Sequence, residues 1–150
     1  MRIALGADHA GVALKREVAR HLDERGIPYT DFGTDSTDSV DYPDFAATVG
    51  REVAGGAFDR GILVCGSGIG MAMAANKVPG VRAAAVTDDV AARLSREHND
   101  ANVLALGGRL TTPDAARRLV DTFLDTPFEG GRHQRRVDKM NALDRAVELP

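Results

Sequence analysis

The stretch Gly61-Ile62-Leu63-Val64-Cys65-Gly66-Ser67-Gly68-Ile69-Gly70-Met71-Ala72-Met73-Ala74-Ala75 decides the fold class. Its opening apolar run predicts a strand buried on both faces, the habit of parallel sheets. The glycines then make a tight turn into a helix rich in Ala and Met. The same alternation extends outward on both sides. Upstream, Ile3–Ala7 reads as a strand, followed by a helix over about Val12–Arg25 that ends at Gly26. Pro28–Phe32 is a weaker strand closed by Gly33, and the polar loop Thr34–Asp41 leads to Pro43. That proline suits the first turn of a helix running to about Ala54. Downstream come a strand at Val81–Val86, a helix over Asp88–His98 and a strand at Val103–Leu106. Thr112-Pro113 caps the next helix, and a last one runs from about Gly131 to Val147. Strands alternating with helices of this length predict one α/β domain over residues 1–150, a five-stranded parallel sheet covered on both faces.

Composition narrows the function classes. The chain has 150 residues, 43% hydrophobic and 27% charged, enough for one ordinary core. Aromatics are only 5% and there is no Trp, so the core must be Ala, Val, Leu and Ile. A net charge of −3 argues against a nucleic-acid or membrane binder. One cysteine, Cys65, allows no internal disulfide and suits a reducing cytoplasm. The N-terminal apolar run is too short for a signal peptide, and no stretch is long enough to span a bilayer.

In parallel α/β sheets, ligands bind beyond the carboxyl ends of the strands. Three polar clusters fall there: Asp8-His9, Cys65–Gly70 and Gly107-Gly108-Arg109. Glycines at 66, 68 and 70 free the backbone to turn several N–H groups toward one point, a site for an anion or a developing oxyanion. The same field lowers a thiol pKa of roughly 8.5 toward neutrality. An inert cysteine in a tight turn is the alternative. Met71 breaks a dinucleotide fingerprint and stands where a cysteine phosphatase needs arginine.

Arg132, Arg135, Arg136 and Lys139 share a narrow helical arc that continues into Met140, Leu143 and Val147. A solvated basic face is the bland reading. Cations bordering a buried surface need an anion, and guanidinium suits phosphate; Arg109 could join them. Of four histidines, His21 reads as surface and His133 as structural. His9 follows Asp8 at a strand end, and His98 at a helix end is either a cap or a general acid–base group. No His/Cys/Asp/Glu grouping has a metal spacing, so no metal or other cofactor is expected.

Together, Gly6-Ala7-Asp8-His9-Ala10-Gly11, Asp41-Tyr42-Pro43, Cys65–Gly70, Ala74-Ala75-Asn76-Lys77, Arg96–Asn102 and Glu129–Val137 occur in the order seen in the ribose/galactose/allose phosphate isomerase family. The chain resembles its type-B ribose-5-phosphate isomerases over nearly its whole length. The resemblance implies a Rossmann-like three-layer sandwich and a homodimer or homotetramer with active sites shared between subunits. It implies a metal-independent aldose–ketose isomerase of the pentose phosphate pathway, an intramolecular oxidoreductase working through an enediolate. It makes Cys65 the base that moves a proton between C1 and C2. In part of the family a glutamate after the glycine loop replaces that cysteine, and Met71 here marks the cysteine type. Gly66, Ser67, Gly68, Ile69 and Gly70 would hold the enediolate oxygen, Ser67 standing for a common threonine. His98 would protonate the furanose ring oxygen, and Asp8 and Asn99 would bind hydroxyls. His9, Arg109, Arg132 and Arg136 would bind phosphate.

A six-carbon substrate such as allose 6-phosphate or galactose 6-phosphate stays open, as does a non-catalytic sugar-phosphate regulator. The pair Cys65 and His98 separates these, because a pure binder needs the arginines but neither proton-transfer group.

Overall fold

A computed structural model of the chain describes residues 1–144. Among them five strands form one parallel sheet: β1 (Ile3–Ala7), β2 (Tyr29–Asp31), β3 (Arg60–Cys65), β4 (Ala83–Ala85) and β5 (Val103–Gly107). Their spatial order is β2-β1-β3-β5-β4. The helices are α1 (Val12–Glu24), α2 (Tyr42–Ala54), α3 (Ile69–Ala75), α4 (Asp89–Glu97), α5 (Pro113–Asp125) and α6 (Arg132–Ala142). A single 3-10 turn, His9–Gly11, joins β1 to α1. This is the α/β sandwich the alternation predicts.

Alternate residues of the central strands feed two separate cores. Leu5, Ile62, Val64, Leu104 and Leu106 pack with Leu14, Val18 and Leu22 of α1 and Leu119 and Phe123 of α5. On the other face Ala4, Leu63, Val103 and Ala105 meet Val49 and Val53 of α2 and Met71 and Ala75 of α3. The central strands β1, β3 and β5 are buried throughout or nearly so, as continuous apolar runs require. The two edge strands are shorter than the sequence suggests. Each has one neighbour, β1 for β2 and β5 for β4, so the ladder holds only three residues in each. Val81 and Val86 are still buried, just outside β4, which is why the apolar run overstates the strand.

Register places the functional edges. Val64 pairs with Ala7 of β1, and Cys65 pairs with Gly107 of β5, so three carboxyl ends lie side by side. The chain leaves β1 toward one edge and β3 toward the other, which opens a crevice at their carboxyl ends. Helix α4 runs back from Asp89 to Glu97 and delivers the chain to the start of β5. The segment between them, His98–Asn102, therefore lies at the amino edge. Helix α6 docks at this same amino edge: the Glu129 N–H donates to the Glu97 carbonyl, and the Gly80 N–H donates to Asp144. Val147 and the predicted end of α6 lie outside the described residues.

Candidate active site

At the carboxyl edge the site is built from backbone. Cys65 ends β3 with 4% exposure, and the Gly68 N–H donates to its Sγ at 3.2 Å. That contact requires Gly68 at φ +80, where a Cβ would also press on the carbonyl carbons of Ala105 and Leu106 at 3.0–3.2 Å. Gly107 allows an equally close approach: a Cβ there would lie 2.7 Å from the Ser67 carbonyl carbon. Two strands' worth of backbone thus hold the Gly66–Gly70 loop in place. The Gly108 N–H donates to the Cys65 carbonyl at 2.7 Å and the Arg109 N–H to the Gly66 carbonyl at 3.0 Å. These bonds lay the Arg109 guanidinium over Gly66. Ser67 Oγ accepts from the Ile69 N–H at 3.3 Å.

Asp8 closes the other wall. It is buried, and its Oδ1 accepts from the N–H groups of Ala10 and Gly11, while Oδ2 takes no hydrogen bond from the described residues. His9 Nδ1 accepts from the Val40 N–H at 3.2 Å, which puts the proton of the neutral ring on Nε2. Lys15, 1% exposed, anchors the loop carrying Val40 by donating to Asp31, Asp35 and the Thr34 carbonyl. Its hydrogen bond holds the Asp35 carboxyl below the usual carboxylate range. A cleft of about 460 Å³ opens among Asp8, Tyr42, Cys65, Ser67, Ile69 and Arg109. Tyr42 is a wall residue to which the sequence analysis assigns no role, although Asp41-Tyr42-Pro43 is among its motifs. Its ring lies so close to Gly70 that a Cβ there would sit 2.8 Å from it.

The remaining predicted residues stand elsewhere. His98 and Asn99 lie at the amino edge, at least the length of β5 away, roughly 13 Å at the usual rise of a strand. The His98 ring stacks on His133, centroids 4.2 Å apart and planes 13° from parallel. His133 is buried, and its Nε2 lies 3.3 Å from Glu129 Oε2, so this histidine is a structural partner of His98. Arg132 and Arg136 are exposed on α6 beside it. Gly130 at φ +65 and Gly131 at φ +53 make the turn that starts this helix. A second cavity of about 400 Å³ lies at this edge, lined by Arg82, Asn99, Met140, Asn141 and Leu143 among others.

Within one chain Arg109 stands apart from Arg132 and Arg136, in the Cys65 cleft, because the β5 end pairs with β3. Met140 and Leu143, 38% and 67% exposed, leave the apolar end of that helix face open in the single chain. His21 is not bare surface, since its Nε2 meets Asp121 of α5 at 2.7 Å. The structure also brings together a group with no spacing in sequence: donor atoms of His98, Glu129 and His133 lie within 4.8 Å of one another. The stacked rings lie in nearly parallel planes 4.2 Å apart at their centroids, whereas one ion bound by both would have to lie close to both planes at about 2.0–2.1 Å from each nitrogen. The cluster as built orients His98 rather than cradling a cation.

Residues 3–140 match the family model described as Ribose/Galactose Isomerase. The chain belongs to that family. It is 48% identical to the Ribose-5-phosphate isomerase B of Escherichia coli, over 95% of this chain and 96% of that one. A Ribose-5-Phosphate Isomerase B structure from Clostridium thermocellum superimposes with a TM-score of 0.97 at 51% identity, covering 99% of this chain and 100% of that one. A relative from Pectobacterium atrosepticum, named D-erythrulose-4-phosphate isomerase, is 41% identical over 93% of each chain. As a member of this family, the chain divides its candidate site between two edges of one sheet. Asp8, His9, Cys65, Gly66, Ser67, Gly68, Ile69, Gly70 and Arg109 gather at the carboxyl edge. His98, Asn99, Arg132 and Arg136 gather at the amino edge.

Proposed function

We propose that this family member isomerises ribose 5-phosphate and ribulose 5-phosphate through an enediolate, in an active site that two copies of the chain complete together. The observation that carries the two-chain reading is the separation of the half-sites. Neither half suffices alone: the carboxyl edge holds the cysteine and the glycine loop, the amino edge the histidine and the paired arginines. Apolar side chains rim both halves, with Ile69, Met73 and Leu110 at one and Met140 and Leu143 at the other all exposed in the single chain. A homodimer apposing the two edges covers both rims at once and makes two equivalent sites. The whole chain then acts as one sugar-phosphate isomerase domain, with α6 docked on the partner. The acidic balance, the lone cysteine and the absence of a membrane-length apolar helix among the described residues support a cytoplasmic setting.

The chemistry follows from the substrate. Ribose 5-phosphate closes as a furanose, so the ring oxygen needs an acid before any carbonyl exists. His98 of the partner subunit, steered by the His133 stack, donates that proton. Cys65, as thiolate, removes the C2 proton of the open aldehyde, and the electron pair moves to give a cis-enediolate. The O2 hydroxyl proton passes to O1, the same thiol returns its proton to C1, and the ketose results. Amides of the Gly66–Gly70 loop with Ser67 hold the developing oxyanion, aimed in advance by the Gly107 and Gly68 contacts. Asp8, through its open Oδ2, and Asn99 bind hydroxyls. His9, Arg109, Arg132 and Arg136 hold the phosphate, whose binding energy orients the reacting carbons.

A panel of four-, five- and six-carbon aldose phosphates with purified protein tests this reading. Highest kcat/KM on ribose 5-phosphate is expected. Preference for allose 6-phosphate or a tetrose 4-phosphate would reassign the substrate, and no turnover on any would leave a binding protein.

A further inference from the structure

Arg82, between Val81 and β4, belongs to no motif singled out in the sequence, yet its guanidinium joins both parts of the amino-edge half-site. Its Nε donates to the Asn99 and Asp100 carbonyls, each at 3.2 Å, and Nη2 donates to the Asp100 carbonyl at 2.9 Å. Its remaining arm, Nη1, donates to Asn141 Oδ1 of α6 at 3.1 Å. The turn it grips is a demanding one. Asp100 sits at φ +47, the one non-glycine residue with positive φ among those described, in a left-handed conformation that side chains rarely adopt unless held. Arg96, buried beneath, holds the same turn from inside through Asp100 Oδ1 at 2.8 Å and the Ala101 carbonyl at 2.6 Å.

The two arginines differ in reach. Arg96 ties the turn to the end of α5, its Nε donating to the Thr126 carbonyl at 3.2 Å, whereas Arg82 ties it to the helix that carries Arg132, His133 and Arg136. Among the described residues, α6 is held by buried Val137, the His133 stack, and the Glu129–Glu97 and Gly80–Asp144 bonds, and the Arg82–Asn141 bond ties its C-terminal end to the residue that leads into β4. The side chain is 15% exposed, so its hydrogen bonds are shielded from competing water.

We propose that Arg82 is a positioning residue that sets the register between the ring-opening acid, His98, and the phosphate-binding face of α6. The inference rests on the isomerase reading above and adds to it the residue that keeps acid and phosphate grip a fixed distance apart. Losing Arg82 releases the Asn99–Asp100 carbonyls and α6 together, so the His98 ring drifts from the ring oxygen while the Cys65 half is untouched. The step that suffers is ring opening, ahead of proton transfer between carbons.

The test compares ribose 5-phosphate with erythrose 4-phosphate, whose O4 is esterified so that it forms no furanose ring and needs no ring-opening acid. Arg82→Ala should lower kcat/KM on ribose 5-phosphate at least tenfold more than on erythrose 4-phosphate, with an unchanged oligomeric state. Arg82→Lys should recover part of the loss, because an ammonium can reach Asp100 but cannot also bridge to Asn141. His98→Asn, run beside them, should show the same selectivity. A selective His98→Asn with an Arg82→Ala that loses both substrates equally, or neither, overturns the role of Arg82 alone. A His98→Asn that loses both equally overturns the acid role itself and the proposal with it. A readout independent of turnover is the NMR shift of the His98 ring protons, displaced in the native protein by the stacked His133 ring. Arg82→Ala should move them toward the shift of an unstacked imidazole, and unmoved signals would contradict the proposal.

Discussion

The two halves of the candidate site are made of different material. At the carboxyl edge the working surface is backbone. At Gly68 and Gly107 the segments pack so closely that a Cβ would lie 2.7–3.2 Å from neighbouring main chain, and Gly108 and Arg109 hydrogen-bond to the carbonyls of Cys65 and Gly66. At the amino edge the working surface is side chains: a stacked histidine pair, two exposed arginines, and the arginine clamp beneath them. The difference teaches a division of labour. An oxyanion needs donors fixed before the reaction, which backbone provides without reorganisation. A phosphate needs charge and reach, which arginines provide once a second surface removes water from around them.

Substitutions can break that contrast. The largest effect belongs to the backbone half. Cys65→Ala should lower kcat by about 10³-fold, within the usual range for a lost proton-transfer group, since no carboxylate stands at position 71 to replace it. Phosphate-ligand binding, measured by calorimetry, should change little. Near-native turnover in the purified variant would remove Cys65 from the base role.

The side-chain half should fail more gently. Arg136→Ala loses a charge-assisted contact of about 1.5–3 kcal/mol, so kcat/KM should fall about tenfold to a hundredfold with KM rising. Lysine at that position should restore the charge without the planar fork and rescue only part. Unchanged steady-state kinetics in Arg136→Ala would remove it from the phosphate site.

Smaller still is the effect on assembly. Met73→Asp at one rim and Leu143→Asp at the other each put a charge on an apolar surface that the dimer covers. Each should raise the dimer dissociation constant by about tenfold, read by sedimentation at a series of concentrations. A native protein that sediments as an active monomer would end the two-chain account. The smallest expected effect is none: exhaustive EDTA treatment should leave the rate unchanged. Activity lost to chelation and restored by a divalent ion would show that the His98, Glu129 and His133 cluster does more than orient.

Much of this was legible in the sequence, for physical reasons that differ by element. Buried central strands such as Arg60–Cys65 announce themselves as unbroken apolar runs. The glycine loop announces itself because only glycine tolerates its φ values and contacts. Edge strands were overdrawn because Val81 and Val86 are apolar for packing, not pairing. The separation of His98 from Cys65 was not legible from local pattern at all. It follows from α4 running back along the sheet, a fact of topology that no motif carries. The contacts of Tyr42, which stands in a motif, and of Arg82, which stands in none, escape local pattern for the same reason. One finds Gly70 from 28 residues away, and the other finds Asn141 across 59.

The central claim, that each site takes one half from each of two chains, is tested most directly by complementation. Cys65→Ala and Arg132→Ala/Arg136→Ala chains, each nearly inactive as homodimers, are co-expressed with different tags and purified as mixtures and as heterodimers. In a heterodimer one site inherits both defects and the other inherits none. Random pairing should therefore restore about a quarter of native activity per chain, and the isolated heterodimer about half. Heterodimers that form but show no more activity than their parents would place both halves of the site in one chain and contradict the account.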